Sequence, residues 1–433
     1  MQESFFIKGL GGEKKLRGEV TVNSAKNAVL KGMAASILFE DEVRLSHVPD
    51  IEDVHRMTEL LEALGANIEK DGREYTIHVG ESVSTTLDTK LSDRLRTSIV
   101  LTGPLLARFG EVHFPHPGGC VIGARPIDFF LEGFERFGAR VSHEDERYHI
   151  AAPAGGLKGA NIFFRAPTHT GTETMMMTAV LAKGKTVLKN CAMEPEIVDL
   201  AKFLNACGAK IVGAGTPTIE IEGGDLLRAE GKAYRALPDR IETGSFLILG
   251  ALVADELTIR GCNPEHVEVL TDILKSSGVP IQIEGDAIHI RGNAKIPKGS
   301  FRPIDIRTHE YPGFATDLQA PMTVFLTQAV GESLVFETIF EGRLNYTDDL
   351  VRMGADIAIW DPHRARVKGY TPLIGRTLGS PDLRAGLAFI IAAAVAKGNS
   401  LINNVYYIDR GYERIEERLK ALGLDIERTT RTE

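Results

Sequence analysis

Leu60-Leu61-Glu62-Ala63-Leu64-Gly65-Ala66-Asn67-Ile68-Glu69 passes from an amphipathic, helix-like run through one glycine into an alternating, strand-like run. Glycine just past a helix's last turn is the expected C-cap, because it accepts a left-handed backbone without a Cβ clash. The pattern recurs as Phe134-Glu135-Arg136-Phe137-Gly138-Ala139-Arg140-Val141 and as Phe203-Leu204-Asn205-Ala206-Cys207-Gly208-Ala209-Lys210-Ile211. It recurs again in Leu274-Lys275-Ser276-Ser277-Gly278-Val279-Pro280-Ile281, in Leu350-Val351-Arg352-Met353-Gly354-Ala355-Asp356-Ile357 and in Leu419-Lys420-Ala421-Leu422-Gly423-Leu424-Asp425-Ile426. The marker glycines 65, 138, 208, 278, 354 and 423 stand 69 to 76 residues apart. A period of that length exceeds a solenoid repeat and suits a small α/β subdomain with its own sheet.

Six such subdomains in 433 residues group as three and three, giving two similar domains, since one compact core rarely grows so large. Strands such as Thr76-Ile77-His78-Val79 and Ile288-His289-Ile290 supply sheets. The stretches Thr172 to Ala182 and Gly386 to Val395 are apolar nearly all round and read as helices buried inside a domain, with Met175, Met176 and Met177 as core filling.

Composition is that of an ordinary globular protein, with a formal charge of -9 that argues against a nucleic-acid binder. Any anionic ligand must therefore meet a local cluster of Arg and Lys. The start, Met1-Gln2-Glu3-Ser4-Phe5, lacks the basic and apolar regions of a signal peptide, and the longest apolar run, Leu387 to Ala396, is too short to span a membrane. Cys120, Cys191, Cys207 and Cys262 form no close pair, which excludes a disulfide framework or a zinc knuckle and suits a reducing cytoplasm.

Three kinds of residue stand out for chemistry. Cys120 lies in Pro117-Gly118-Gly119-Cys120-Val121-Ile122-Gly123-Ala124-Arg125-Pro126, a glycine-hinged loop. Most free cysteines are buried structural thiols, and Cys191, Cys207 and Cys262 fit that reading, whereas a loop thiol serves as nucleophile, acid or ligand. Lys26, Arg96, Arg125, Arg240, Arg384 and Arg410 sit in turn-like contexts. Singly, each reads as a solvated charge, and converging they would clamp a phosphate or carboxylate. Asp317, in Ala315-Thr316-Asp317-Leu318-Gln319, reads first as a helix N-cap and second as a base. His113 and His116 have metal-like spacing without a third ligand nearby, so no metal is expected.

Taken together, several segments resemble the UDP-N-acetylglucosamine 1-carboxyvinyltransferase family of enolpyruvyl transferases, nearly end to end. The carriers are Ala25-Lys26-Asn27-Ala28, Leu95-Arg96-Thr97-Ser98, Pro117 to Asp128, Glu194-Pro195-Glu196-Ile197-Val198-Asp199, Leu237 to Gly244, Thr316-Asp317-Leu318-Gln319-Ala320, Asp382-Leu383-Arg384-Ala385 and Ile408 to Glu416. The resemblance implies a two-domain inside-out α/β barrel built from six βαβαββ-like units, with helices within. It places an inserted domain at residues 23–236 and a second domain at 1–22 plus 237–433, with the active site in the cleft between them. It implies addition of the sugar 3′-hydroxyl of UDP-N-acetylglucosamine to phosphoenolpyruvate, then loss of phosphate, as the first committed step of peptidoglycan precursor synthesis.

By the same resemblance Asp317 matches the base and Cys120 the proton donor, which also forms a covalent adduct with phosphoenolpyruvate and is the thiol that fosfomycin alkylates. Lys26, Arg125 and Arg410 match the phosphoenolpyruvate clamp, and Asn27 a substrate-orienting amide. Arg96, the run Arg125, Pro126, Ile127, Asp128 and Phe129, together with Asp317 and Ile339, match nucleotide-sugar contacts, and Arg384 another cleft arginine. No metal or organic cofactor is implied. The chain departs from the family pattern at Phe130, usually His, at Thr168-His169-Thr170-Gly171-Thr172, commonly Ser-Val-Gly-Ala, and at Tyr346, often His. Enolpyruvyl transfer to another uridine nucleotide, or nucleotide-sugar binding without turnover, are the alternatives these changes leave open.

Overall fold

The computed structural model describes residues 2–118, 125–144 and 146–431. These fall into two compact units, one made of residues 2–23 and 238–431, the other of 24–118 and 125–237. Each unit holds three sheets and its own apolar core.

One repeat shows the plan. Strand Asn161–Phe163 leads to helix His169–Val180, strand Lys185–Lys189, helix Pro195–Ala206 and the hairpin strands Lys210–Val212 and Thr218–Glu222. The four strands lie in the order first, second, fourth, third. First and second run parallel, as strands joined through a helix must, and the others pair antiparallel. All five four-stranded sheets keep this spatial order, three of them in chain order; in the other two a strand from elsewhere in the chain completes the sheet, Ala233–Arg235 as the first strand of one and Gln2–Lys8 as the fourth strand of the other. The remaining sheet has three strands, Glu111–Pro115, Arg147–Ala151 and Arg140–Glu144, and an isolated bridge between Thr86 and His113 replaces its first strand. The expected βαβαββ unit is therefore present six times.

The glycine caps are uniform. Gly65, Gly138, Gly208, Gly278, Gly354 and Gly423 all take φ between 90° and 107°. At the first, Gly65 N donates to Glu62 O at 2.9 Å and Ala66 N to Leu61 O at 2.9 Å. The same two-bond pattern, a Schellman motif, closes the other five helices, as at Gly423 and Leu424, which donate to Lys420 O and Leu419 O. The carbonyl that accepts the longer bond belongs in turn to Leu61, Phe134, Leu204, Leu274, Leu350 or Leu419, each at most 1% exposed. Each cap thus fixes the exit of a helix and drives one large side chain into the core.

Inside each unit stand three more helices, wrapped by the sheets and the capped helices. They are Lys26–Ala35, Thr102–Phe109 and His169–Val180 in one unit, and Arg240–Val253, Gln319–Thr327 and Leu383–Val395 in the other. Every residue of Leu383–Val395 is buried, and so are Met175, Met176 and Met177, as their apolar runs predict. Both helices begin earlier than the apolar runs do, because polar caps precede them. Thr168 Oγ1 accepts from Gly171 N at 3.2 Å, and Asp382 Oδ1 accepts from Arg384 N at 2.7 Å. Cys191, Cys207 and Cys262 are buried structural thiols. Among the described residues, no helix is long and apolar enough to cross a membrane.

The core of residues 24–237 contains a buried ion cluster. Lys31 Nζ lies 2.9 Å from Glu173 Oε2, and His169 Nε2 lies 3.2 Å from Glu173 Oε1. Burial alone would lower the His169 pKa, but Glu173 outweighs it, with Lys31 opposing and Glu194 assisting, and the net shift is upward. Burial likewise opposes ionisation of Glu173, yet His169 and Lys31 hold its pKa below the usual value.

Two outcomes follow. Gly208 has a φ of 107° and open space where a Cβ would go, so Gly208→Ala tests backbone strain alone. It should lower unfolding free energy by ~1–2 kcal/mol in urea titrations, while Gly155→Ala, at an open site without positive φ, should change little. For His169, a folded pKa above the ordinary 6.5 stabilises the fold fully below that value and ceases to do so as pH rises through the folded pKa. The melting-temperature gap between the natural chain and His169→Gln should therefore narrow as pH is raised above 6.5. A gap that is constant or widens would contradict the assignment.

Candidate active site

In the unit of residues 24–237, Lys26 opens the inner helix Lys26–Ala35, immediately before Asn27. Its Nζ lies 2.9 Å from Asp53 Oδ2, with the two side chains 12% and 2% exposed. Asp53 belongs to the first turn of Glu52–Leu64, where the helix dipole favours a carboxylate. The ammonium is thus held at a helix N-terminus by one buried counter-charge.

Arg96 begins the 3-10 turn Arg96–Leu101 that runs into the inner helix Thr102–Phe109. Its Nη1 donates to Pro117 O at 2.7 Å, and its Nη2 donates to Arg125 O. One guanidinium therefore clasps both ends of the segment that carries Cys120, a residue outside those described. Gly118, at the near end, packs so tightly that a Cβ would stand 2.0 Å from Asp93 O. Burial, and after it the charge of Arg125, lower Arg96 to about 10. Two cations brought this close make a place that an anion would relieve. Pro126 and Ile127 then lead into the helix Asp128–Arg136, with Asp128 in its first turn. The Phe129 ring packs on Phe130 at 4.3 Å between centroids, and a Cβ on Gly171 would meet it at 2.5 Å. Phe130, 3% exposed, is a core residue.

In the other unit, Asp317 lies in the 3-10 turn Thr316–Leu318 ahead of the inner helix Gln319–Thr327. The N-cap reading of Asp317 is overturned, since no side chain caps that turn or that helix. Two arginines engage the carboxylate instead. Arg343 Nη2 donates to Oδ1 at 2.7 Å, and Arg384 Nε donates to Oδ2 at 2.9 Å. Arg343 also donates to Thr316 Oγ1 at 2.9 Å, and that hydroxyl donates to Glu337 Oε2 at 2.8 Å. The other Glu337 oxygen accepts from the backbone N–H of Ile339 at 2.9 Å, so Ile339 and Asp317 share one scaffold.

Arg384 donates through Nη1 to Tyr412 Oη at 3.1 Å, and Tyr412 Oη meets Ser245 Oγ at 3.0 Å. Burial would lower the Arg384 pKa, but Asp317, then Tyr412, raise it further, so the guanidinium stays charged. The Asp317 side chain keeps 26% exposure while Arg343 and Arg384 are nearly enclosed. Arg410, 7% exposed, caps the short helix Tyr406–Asp409.

Of the residues read as turn-like in sequence, all but Arg125, which lies in irregular chain ahead of Asp128–Arg136, prove to be at helix ends. Lys26 and Arg240 are first in their helices, Arg384 is second, and Arg410 is a C-cap. Asp53, Arg343, Glu337 and Tyr412 escaped sequence reasoning, because an acid or base on one element gives no sign of its partner on another. Arg343 lies 26 positions from Asp317, with only its closeness to Ile339 as a hint. The His113 ring stacks on His149, centroids 4.0 Å apart. A cavity of about 450 Å³ lined by Arg240, His266, Tyr311, Phe314 and Leu318 flanks the Asp317 turn but includes none of the expected site residues.

The model of the EPSP synthase (3-phosphoshikimate 1-carboxyvinyltransferase) family matches residues 10–419. A UDP-N-acetylglucosamine 1-carboxyvinyltransferase of Koribacter versatilis is 44% identical over 430 residues, covering 98% of this chain and 96% of the relative. One from Magnetococcus marinus is 44% identical over 421 residues, covering 97% and 98%. Among solved structures, the enolpyruvyl transferase NikO from Streptomyces tendae superposes with a TM-score of 0.86 at 23% identity over 100% of both chains. EPSP synthase from Acinetobacter baumannii superposes with 0.73 at 19% identity over 99% and 100%. The fold is shared at that distance, and the near-complete coverage at 44% identity goes further: the chain belongs to the UDP-N-acetylglucosamine 1-carboxyvinyltransferase family, a branch of the 1-carboxyvinyltransferases.

Proposed function

We propose that this chain transfers the enolpyruvyl group of phosphoenolpyruvate to the 3′-hydroxyl of UDP-N-acetylglucosamine and releases phosphate, the first committed step of peptidoglycan precursor synthesis. The observation that carries the reading is 44% identity along 98% of the chain to relatives of that name. The hydroxyl oxygen bonds to C2 as its proton passes to Asp317, and C3 takes a proton from Cys120. The C2–O bond to phosphate then breaks and C3 gives up a proton, which restores the double bond. Such a reaction needs an oriented base, an acid, and fixed cations for the phosphate and carboxylate.

In this reading Arg343 and Arg384 aim Asp317, while Lys26, Arg125 and Arg410 hold phosphoenolpyruvate and Asn27 orients it. Arg96, Pro126, Ile127, Asp128, Phe129 and Ile339 serve the nucleotide sugar. Arg96 also holds the stems of the Cys120 segment, so a substrate that approaches Arg96 and Arg125 would bear directly on that segment. The charge balance supports this assignment, since paired guanidinium groups at Arg96 and Arg125 suit a phosphate-bearing ligand.

A phosphate-release assay tests the reading. Release with both substrates is expected, and Arg343→Gln should lower kcat ~100-fold with small changes in either KM, the cost of a misplaced base. Release only with another uridine nucleotide would reassign the acceptor, and tight nucleotide-sugar binding without release would make the chain a binding protein. Fosfomycin should add one equivalent of mass, as the Cys120 sulfur opens the epoxide and the alkoxide takes up a proton. Burial pushes the Cys191 thiol up to about 12 and the Cys262 thiol up to about 11, so neither competes. An adduct that persists in Cys120→Ala would refute the assignment.

A further inference from the structure

We infer that Glu111, His113 and His149 form a surface site for one divalent transition-metal ion, Zn2+ in the first instance, on the three-stranded sheet. Glu111 and His113 are two residues apart on the strand Glu111–Pro115, so they share its outer face. His149 is the direct cross-strand partner of His113, and Ala151 is the partner of Glu111. The three side chains therefore project from a single patch, two from one strand and one from its antiparallel neighbour. The residues between them, Val112, Phe114 and Ile150, face the core.

The donor atoms have already converged. All three potential ligand atoms lie within 4.8 Å of one another. His149 Nε2 and Glu111 Oε2 are 3.6 Å apart, close to the ~3.4 Å that tetrahedral bonds of ~2.0–2.1 Å require. That nitrogen is buried and finds no hydrogen-bond partner among the described residues. The two rings are stacked within 5° of parallel, so a shared ion needs each to hinge toward a common apex. His149 is 37% and Glu111 51% exposed, so that movement meets solvent rather than core.

A nearby cation, Arg147, is engaged elsewhere. Arg147, two residues before His149, is drawn off by Leu87 O at 3.4 Å and Thr89 Oγ1 at 2.6 Å. Besides His149, Glu111 takes a long contact from Thr85 Oγ1, at 3.5 Å. Two imidazoles and a carboxylate suit Zn2+, with Cu2+ and Ni2+ as chemical competitors, and leave a fourth position for water.

The test is calorimetric titration of ZnCl2 into the full chain carrying Cys120→Ala, which removes a competing thiol. One saturable Zn2+ per chain is expected, together with a rise in melting temperature as zinc is added. Both should vanish in His149→Gln and in Glu111→Gln, and both should survive in His116→Gln. Metal-free melting of each variant reports whether it folds, and His113→Gln provides a second removal should either variant fail. In imidazole NMR spectra, zinc should shift only His113 and His149. No saturable one-to-one binding in the parent, binding unchanged in His149→Gln, or shifts confined to other histidines would each overturn the proposal.

Discussion

The whole architecture depends on a backbone constraint: six helices must each hand the chain to a strand across two or three residues. Only a left-handed residue turns the backbone that sharply, and an L side chain there costs ~1–2 kcal/mol. Glycine at all six positions, each with φ near 100°, removes that cost. The paired cap hydrogen bonds then aim the following strand into the hairpin that forms the third and fourth strands of each sheet. Since the cap geometry is the same each time, the strand order is the same as well, and each sheet presents one apolar face inward. Three such sheets enclose the inner helices: Leu383–Val395 is buried at every residue and apolar nearly all round, whereas Lys26–Ala35 and His169–Val180 bury Lys31 and Glu173 as an ion pair.

A helix sealed along its length can carry chemistry only at its ends. In one unit the inner helices begin at or just after Lys26, Arg96 and His169, and in the other at or just after Arg240, Asp317 and Arg384. N-termini carry partial positive charge and N–H groups without helical partners, so cations there are disfavoured unless anions accompany them. Built-in anions accompany several of these sites: Asp53 beside Lys26, Glu173 beside His169, the Asp239 cap at the helix of Arg240, and Asp317 with the Asp382 cap beside Arg384. Arg96 donates to the carbonyls of Pro117 and Arg125, and burial, then the charge of Arg125, lower its pKa. An incoming phosphate or carboxylate is the group such an end lacks. Such ends suit a ligand with several negative charges, which is how this fold bears on the substrates proposed above.

What was legible in sequence was whatever a single segment encodes. The glycine caps are local, so the six repeats and the α/β class could be read directly. Lys26, Arg384 and Asp317 could be singled out by residue type, because a charge beside an apolar run has few structural uses. Their environments were not legible. Asp317 beside a helix start looks like a cap, and only the fold reveals that Arg343 and Arg384 reach it first. Likewise His113 and His116 share a spacing along the chain, yet the neighbour of His113 is set by sheet register, which places His149 opposite it from 36 positions away.

The departures from the family pattern make the same point from the other side. In sequence, Phe130 and the Thr168–Thr172 segment are separate anomalies. In the fold they meet: Phe129 stacks on Phe130 and lies so close over Gly171 that no other residue would fit there, and a Cβ on Gly171 would also strike Thr168 at 2.6 Å. His169, on the same turn, is fastened inward by Glu173 and, through it, Lys31. Losing a histidine at residue 130 to a core ring and gaining one at residue 169 in a buried ion cluster are thus changes to one packed corner. A substitution that enlarged Gly171 would displace Phe129 toward the residues expected to hold the nucleotide. Residue 130 and the turn from Thr168 to Gly171 are thus coupled through the Phe129 ring, so a change of size at either bears on the packing of the other.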